Sequence, residues 1–555
     1  MKMRRLKELF NEPIVNFLFL CILFVVAMCV VLSNKVDYHV DEIFTYGKAN
    51  YQSPRSFYEE KGTGAVYIPI RDGKIYIPGG KALMDYVTVQ PEYRFNYANV
   101  WKNEAKAVHP PFHTALVHTV CSFFPEEFSH WFAGVVNIAF AVLTLLAFRA
   151  LTRCYIQDER VVNIISFSFA FSGGILSNIT FLRMYIMAMF WVTLLSYCIV
   201  KECKEQKGTV KFFVCLSVVT LCGALTHYYC ILYAVLISVT YGAWLLFKKK
   251  YHYFSKFTFA MAVSGFLSYV IFPAMIKHIF SGPRGLEVRQ NAVTLSDFFS
   301  RLKAFYGIIN SEIFGNWAII LIWGFFILCF LLADQYCCNS LKGKRRISNL
   351  INGTNHYLPI NYMLLIVPTV IYFIIVVKIS VYRSERYIVP IYANIFLLAS
   401  LMLVNLFDRF SVSKVYKTVL LCFTLAVITI NSWFTVSWQF LYLDAKPYLD
   451  GIAKHAGVDN ICLYSNDWQI CVMIMDVKLY RSIQFCNFKN DTVKQEILKR
   501  IGDSNPKKLV VSLVGADSSK HQGYLQEILK QSSSLNYYRK LGTIHYGFVT
   551  SYLLF

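Results

Sequence analysis

The sequence predicts a polytopic α-helical membrane protein with a small α/β domain at its C-terminal end. Three observations support this fold class. Hydrophobic residues make up 56% of the 555 residues and charged residues only 16%, whereas a soluble domain carries about 25% charged residues. Apolar runs of about 20 residues, each long enough to cross a bilayer as a helix, recur along the chain. From about Leu441 the composition changes, and Asp, Lys and Asn return.

The apolar runs predict about eleven membrane spans. The first run follows a basic N-terminal segment and has no small-residue cleavage site, so we expect an uncleaved span rather than a signal peptide. The predicted spans cover residues 14–32, 131–148, 162–179, 185–200, 212–225, 229–247, 257–276, 313–332, 358–377, 387–406 and 415–438.

Lys and Arg residues cluster in alternate loops between these spans, for example at Lys201–Lys211 and Lys248–Lys250. Positively charged loops stay on the cytoplasmic side. The net charge of +22 therefore sets orientation and does not indicate a nucleic-acid partner. We expect a cell-membrane protein with a cytoplasmic N-terminus and, after an odd number of spans, an extracytoplasmic C-terminal domain.

Two regions are too polar to be spans. Residues 33–130 form a long first extracytoplasmic loop, whose apolar part at 110–124 is short and broken by Pro110-Pro111, and so predicts an interfacial helix. Residues 441–555 contain strand-like runs at 460–464 and 508–514 with a helical pattern at 491–501 between them. Alternating strands and helices predict an α/β domain. The predicted domains are thus 1–440, transmembrane and catalytic, and 441–555.

With this topology, polar residues that are unusual near membrane spans all fall on the outer side. They come from six segments and are Asp41, Glu42, His109, Arg183, Tyr185, His227, Tyr228, Arg284, Arg383, Arg386 and Tyr387. Two adjacent acids at the mouth of a span are costly unless they face water, a partner or a substrate. The one-sided distribution predicts a functional site at the outer face.

Five of these segments, in this order, resemble the GT-C glycosyltransferases, and in particular the bacterial branch with lipid A aminoarabinose transferases and protein O-mannosyltransferases (glycosyltransferase family 39-like). The resemblance covers about residues 1–440. The matching segments are Asp41-Glu42 after span one, His109-Pro110-Pro111-Phe112 before span two, Leu182-Arg183-Met184-Tyr185, Thr226-His227-Tyr228, and Arg386-Tyr387-Ile388-Val389-Pro390.

The resemblance implies an inverting transferase that uses a polyprenyl-phosphate sugar from the outer leaflet, with the first-loop acid as the base or acceptor-orienting group. The residues agree with this chemistry. A hydroxyl nucleophile needs a carboxylate within hydrogen-bond reach, and a phosphate leaving group needs fixed cations, for which arginine is suited. The chain has no Asp-x-Asp pair of the kind that holds a metal on nucleotide-sugar donors. A divalent metal is compatible with the two acids, but no ligand set beyond them indicates one.

Adjacent residues on a helix diverge by roughly 100°, so the two acids have different roles. We assign the base to Asp41 and a supporting role to Glu42, and leave the reverse order open. Arg386 is preferred over Arg383 for phosphate, and Arg284, in the Gly282–Gly285 segment that we expect to be a mobile loop, closes over the donor. For Arg183, His109 and His227 the alternatives are structural: an interfacial anchor, a helix cap and a polar contact between helices.

Two other functions fit a polytopic chain. A flippase or transporter of lipid-linked sugar places ionisable groups near the bilayer midplane, whereas these spans have almost no charge at their centres. A polysaccharide polymerase or ligase typically has its large outer loop late in the chain, whereas here the first loop is the long one. The acceptor is a cell-envelope glycan, lipid or protein, which the residues leave open.

Overall fold

The computed structural model describes residues 13–52, 72–294, 296–322, 324, 360–410, 412–515, 518–545 and 547–555. Most of these residues are helical. The helices up to the fifth predicted span are α1 (Pro13–Ser33), α2 (Val40–Asn50), α3 (Lys81–Val87), α4 (Tyr97–Lys106), α5 (Phe112–Phe123), α6 (His130–Arg153), α7 (Glu159–Ala170), α8 (Gly173–Ile179), α9 (Tyr185–Glu205) and α10 (Val210–Thr226). The remaining helices are α11 (Tyr228–Phe247), α12 (Tyr251–Ile271), α13 (Ala274–Phe280), α14 (Pro283–Val293), α15 (Phe298–Glu312), α16 (Ile360–Ile379), α17 (Tyr392–Asp408), α18 (Lys414–Thr435), α19 (Ala445–Ala453), α20 (Asp491–Ser504) and α21 (His521–Leu529).

Six strands form one mixed sheet. They are β1 (Ile75–Tyr76), β2 (Asn460–Tyr464), β3 (Ile483–Asn487), β4 (Leu509–Val514), β5 (Tyr538–Ile544) and β6 (Val549–Leu554), in the order β1-β3-β2-β4-β6-β5. The three central strands β3, β2 and β4 are parallel, and the outer strands are antiparallel to their neighbours. The predicted α/β region at the C-terminal end is therefore confirmed.

Eight of the described helices are long and apolar enough to cross a membrane, and the bent pair α7 and α8, which turns by 51°, makes up to nine. The chain is a multi-pass membrane protein. The predicted span at 212–225 corresponds to α10, which has 17 residues and is shorter than the eight. Nine of the 20 residues of the predicted span at 313–332, namely residues 323 and 325–332, lie outside the described residues. The predicted count of about eleven spans stays a prediction.

The chain divides into two compact units. The first, the helical unit, comprises residues 1–30, 137–179 and 184–437. Its interior contains stacked aromatic rings, with Phe148 and Phe169 4.1 Å apart and Phe396 against both. It also contains a buried polar contact in which Asn394 Nδ2 donates to the Tyr233 hydroxyl at 2.8 Å. Pairing of polar groups inside the bundle avoids the cost of leaving them unsatisfied away from water.

The second unit, the sheet unit, comprises residues 31–136, 180–183 and 438–555. The first loop therefore belongs to the same compact unit as the C-terminal segment, and its strand β1 pairs with β3. One apolar core of this unit lies between the sheet and the helices α20 and α21, with Ile497, Leu525 and Val511 buried in it. The proposed domain boundary near residue 440 stays a prediction.

Two predicted local structures can be compared directly. The apolar stretch at 110–124 forms α5, a helix of 12 residues, so its helical prediction is confirmed. The prediction of a loop at Gly282–Gly285 is wrong. Gly282 is the N-terminal cap of α14 and Pro283 is its first residue, a position that proline favours because its missing N–H is not needed there.

Candidate active site

The two adjacent acids lie in the first turn of α2. His39 caps this helix: its Nδ1 accepts a hydrogen bond from the Asp41 N–H at 3.1 Å, and Glu42 Oε2 accepts from the His39 N–H at 2.8 Å. This reciprocal capping box fixes where the helix begins. Carboxylates at a helix N-terminus are also stabilised by the helix dipole. The sequence therefore holds both acids in defined positions.

Glu42 is fully buried and its carboxylate is fully occupied. Lys35 Nζ lies 3.1 Å from Oε1 and 3.0 Å from Oε2, and the Leu182 N–H donates to Oε1 at 2.8 Å. Burial raises the pKa of Glu42, and the Lys35 ammonium and the backbone donors oppose that rise. Burial likewise lowers the pKa of Lys35, against the effect of Glu42. These contacts fix the position of the Glu42 side chain. The supporting role predicted for Glu42 stays a prediction.

Asp41 has a different environment. Its side chain is 26% exposed, and Oδ2 lies 3.7 Å from His39 Nδ1. Of the two acids in this turn, Asp41 presents the carboxylate that a substrate can reach.

Three polar residues lie on one face of α2. Asp41, Thr45 and Lys48 are spaced i, i+4 and i+7, which places them in line along a helix. Arg183 lies against this face: its Nη1 donates to the Asp41 carbonyl at 3.0 Å and to Thr45 Oγ1 at 2.7 Å. Its side chain is buried, and its Nε has no hydrogen-bond partner among the described residues. Arg183 is therefore a buried cation next to Asp41, rather than an exposed interfacial anchor.

Lys48 adds a second buried cation to this face. Lys48 Nζ lies 3.2 Å from Glu104 Oε2, and Thr114 Oγ1 donates to Glu104 Oε1 at 2.5 Å. Burial lowers the pKa of Lys48, Glu104 opposes that change, and the nearby Arg183 charge adds to it. The sequence analysis missed Thr45, Lys48 and Glu104. The spacing of Asp41, Thr45 and Lys48 was the available signal for two of them, whereas nothing local points to Glu104.

His109 lies in the bend between α4 and α5 and is half buried. It belongs to the sheet unit, as do Asp41, Glu42 and Arg183.

The remaining predicted residues belong to the helical unit, where several form a continuous series of rings. Tyr185 and His227 have ring centroids 5.5 Å apart, His227 and Tyr229 5.1 Å, and Tyr229 and Tyr387 5.6 Å. His227 is the single residue between α10 and α11, and its Nδ1 accepts from the Tyr229 N–H at 3.1 Å. His227 thus caps α11, whereas the structural alternative predicted for it is a polar contact between helices. Its role stays a prediction.

Two of the three predicted arginines of this unit meet at one ring. The guanidinium carbons of Arg284 and Arg386 lie 5.2 and 5.5 Å from the Tyr382 ring centroid. Arg284 also pairs with Glu287 at 2.7 Å. Arg383 instead donates to Ser300 Oγ at 3.0 Å. The preference for Arg386 over Arg383 stays a prediction.

The eleven predicted residues thus fall into two groups by unit: Asp41, Glu42, His109 and Arg183 in the sheet unit, and Tyr185, His227, Tyr228, Arg284, Arg383, Arg386 and Tyr387 in the helical unit. Their catalytic and binding roles stay predictions. No group of three or more His, Cys, Asp or Glu side chains in the described part of the chain is placed to hold a metal ion.

No protein-family model and no curated protein matches the sequence. The structure, in contrast, is similar to ArnT from Cupriavidus metallidurans bound to undecaprenyl phosphate, with a TM-score of 0.53 at 10% identity over 97% of each chain. The same protein in its apo state gives a TM-score of 0.51 at 10% identity, also over 97% of each chain. The chain has the GT-C fold.

This likeness confirms the predicted fold and the family resemblance at the level of architecture. It covers nearly the whole chain, including the α/β region, whereas the motif resemblance reached only about residue 440. At 10% identity the GT-C fold alone is shared. The roles of single residues must therefore be argued from their contacts in this protein.

Proposed function

We propose that this protein is an inverting glycosyltransferase that moves a sugar from a polyprenyl-phosphate donor to an acceptor hydroxyl or amine at the outer face of the membrane. The observation that carries the proposal is the partly exposed Asp41 carboxylate at the start of α2, with the buried cations Arg183 and Lys48 along the same helix face. An accessible carboxylate held next to fixed positive charge suits a displacement in which a proton leaves one group and negative charge develops on another.

The GT-C fold supports the choice of donor. ArnT, which shares the fold, was crystallised with undecaprenyl phosphate, a polyprenyl phosphate of the kind that such a transfer would release. Arginine binds phosphate through a planar fork and keeps its charge. Within the helical unit, the guanidinium groups of Arg284 and Arg386 lie on the Tyr382 ring and have this phosphate-binding chemistry.

The proposed reaction is a single displacement. Asp41 accepts the proton of the acceptor group while the acceptor oxygen or nitrogen forms a bond to the anomeric carbon. The bond between that carbon and the phosphate oxygen breaks, its electrons stay on the phosphate, and the anomeric configuration inverts. Glu42 does not take part directly, because its oxygens are held by Lys35 and Leu182. Its part is to fix the first turn of α2, and so the position of Asp41.

The test is sugar transfer by the purified protein in detergent micelles with a panel of polyprenyl-phosphate sugars. We expect Asp41→Asn to lower the transfer rate at least about a hundredfold, the usual contribution of general-base catalysis, while donor binding remains. Asp85→Asn makes the same chemical change at an exposed position of α3 and should transfer at the native rate. Transfer at the native rate by Asp41→Asn would refute the assignment, and absence of product with every donor would refute the proposed function.

A further inference from the structure

One face of the sheet carries exposed cations beside exposed aromatic rings. Arg539 of β5 pairs with Leu553 of β6, and Leu553 pairs with Val510 of β4. Paired residues point to the same face, and so do residues two apart on a strand. Arg539 and Tyr537 therefore lie on the same face as Lys508. Phe555 shares this face, since its backbone exchanges hydrogen bonds with Tyr537 at 2.9 and 3.0 Å.

Three cations lie in the surroundings of His455. His455 follows α19, and its pKa is lowered by burial and then by the charges of Arg539, Lys508 and Lys454. All three cations are exposed, and none of them forms an ion pair with another residue in the described part of the chain. The carboxylate of Asp459, at the start of β2, is already neutralised by the Arg481 guanidinium.

The rings next to these cations are open to solvent. Tyr537 is 69% exposed and Phe555 42% exposed, and their ring centroids lie 6.2 Å apart. A large aromatic side chain supplies contact area at low entropic cost, and such residues are enriched in binding surfaces. Flat apolar rings suit the apolar faces of sugar rings, and Lys and Arg suit phosphate or carboxylate groups.

We propose that this surface, formed by Lys454, Lys508, Tyr537, Arg539 and Phe555 and called here the β5 edge surface, binds an anionic polysaccharide. Its identification with the acceptor of transfer rests on the proposed function. An anionic membrane surface has similar charge, and binding to anionic liposomes separates a membrane contact from a polysaccharide contact. The geometry favours a glycan whose charged groups alternate with sugar rings.

The test measures binding of the purified full-length protein in neutral detergent to phosphomannan and to neutral mannan of similar length. We expect tighter binding to phosphomannan, weakening as salt is raised. Lys508→Gln/Arg539→Gln should weaken it about tenfold, as expected for two exposed charges, and Tyr537→Ser should weaken binding to both polymers. The matched control is Lys499→Gln/Lys520→Gln, which removes two exposed lysines, one in α20 and one before α21; it should stay within about twofold.

Three outcomes would overturn the proposal: equal binding to the two polymers, equal losses in the two double variants, or binding of phosphatidylglycerol liposomes but not of phosphomannan. The last would identify the surface as a membrane contact. Because no sugar is transferred in this measurement, its outcome is independent of the catalytic test. Asp41→Asn should bind phosphomannan like the native protein. If the native protein bound phosphomannan but transferred no sugar in the catalytic test, the β5 edge surface would still be a polysaccharide-binding surface. It would then no longer be identified as the acceptor site.

Discussion

Asp41 and Glu42 are adjacent in the sequence, but the Asp41 side chain is partly exposed and Glu42 is buried. Replacing the carboxylate by an amide should therefore change stability differently at the two positions. Glu42→Gln leaves the buried Lys35 ammonium without its counter-ion, and removing one partner of a buried pair costs about 3–5 kcal/mol. We expect a large fall in the thermal unfolding midpoint measured in micelles, and only a small change for Asp41→Asn, whose side chain is partly exposed. The double variant Lys35→Met/Glu42→Gln should recover part of the loss. Equal midpoints for the two single variants would contradict the structural role of Glu42.

A second buried acid, Glu312, predicts a pH dependence of stability. Asn178 Nδ2 and the Tyr392 hydroxyl both donate to its Oε2, at 3.0 and 2.8 Å. Burial, and then the Glu385 charge, raise the pKa of Glu312 from 4.5 to about 8. Between pH 4.5 and 8 the folded state keeps a proton on Glu312 that the unfolded state has released. The free energy of unfolding should therefore fall by at most about 1.4 kcal/mol per pH unit as pH rises from about 4.5 to 8, and level off above. Thermal unfolding across this range should show a flatter profile for Glu312→Gln, and an unchanged profile would contradict the prediction.

Among the helices, α2 has the strictest packing requirement because it positions the first-loop acids. Its Gly47 faces α3, where a Cβ added at Gly47 would lie 1.9 Å from Tyr86 Cζ. A glycine-to-alanine change within a helix normally stabilises by about 1 kcal/mol, but here overpacking, at about 1–3 kcal/mol or more, should dominate. We expect Gly47→Ala to lower the unfolding midpoint and Gly307→Ala of α15, whose added Cβ meets nothing within 4 Å, to preserve or raise it.

The contact between α2 and α3 can be tested separately from the backbone effect. Tyr86→Leu should be destabilising alone, yet less so when combined with Gly47→Ala, because the shorter side chain makes room for the new methyl group. A double-mutant cycle measures this coupling directly. Strict additivity of the two changes would show that the clash with Tyr86 is not the cause.

Elements with a strong local signal could be predicted from the sequence, and their partners could not. The long apolar runs predict helices such as α6 and α11, and the alternation of strands and helices predicts β2, α20 and β4. The two residues of β1 carry no such signal, since they become a strand only by pairing with β3, about 400 positions later. In the candidate site, Asp41 and Arg183 were predictable as misplaced charges near the membrane. Glu104 could be recognised as part of the candidate site only from its contact with Lys48 in the structure.

At the scale of the whole molecule, two stretches decide the number of spans, and the sheet restricts that number. Strand β1 of the first loop pairs with β3 of the C-terminal segment, so both segments lie on one side of the membrane and an even number of spans separates them. Helix α10 has 17 residues, about 26 Å at 1.5 Å per residue, slightly less than the roughly 30 Å hydrocarbon thickness. The other is the predicted span at 313–332. Up to nine spans are present without them. With the bent pair α7 and α8 counted as one span, the number of spans is odd if both stretches cross or if neither does. If only one crossed, the number would be even and β1 could not pair with β3.

Cysteine labelling with a membrane-impermeant maleimide separates these cases, with the native protein as the control for its own cysteines. We expect Lys520→Cys to be labelled on intact cells and Lys207→Cys and Lys248→Cys only after lysis, because all three positions are exposed and the two loops are basic. Lys248 follows α10 and α11, so its labelling before lysis would show that α10 does not cross. No outside label at Lys520→Cys would place the C-terminal domain, and with it the first loop that shares its sheet, in the cytoplasm, and would contradict the predicted orientation. The domain with the β5 edge surface would then face the cytoplasm, where a cell-envelope glycan is absent.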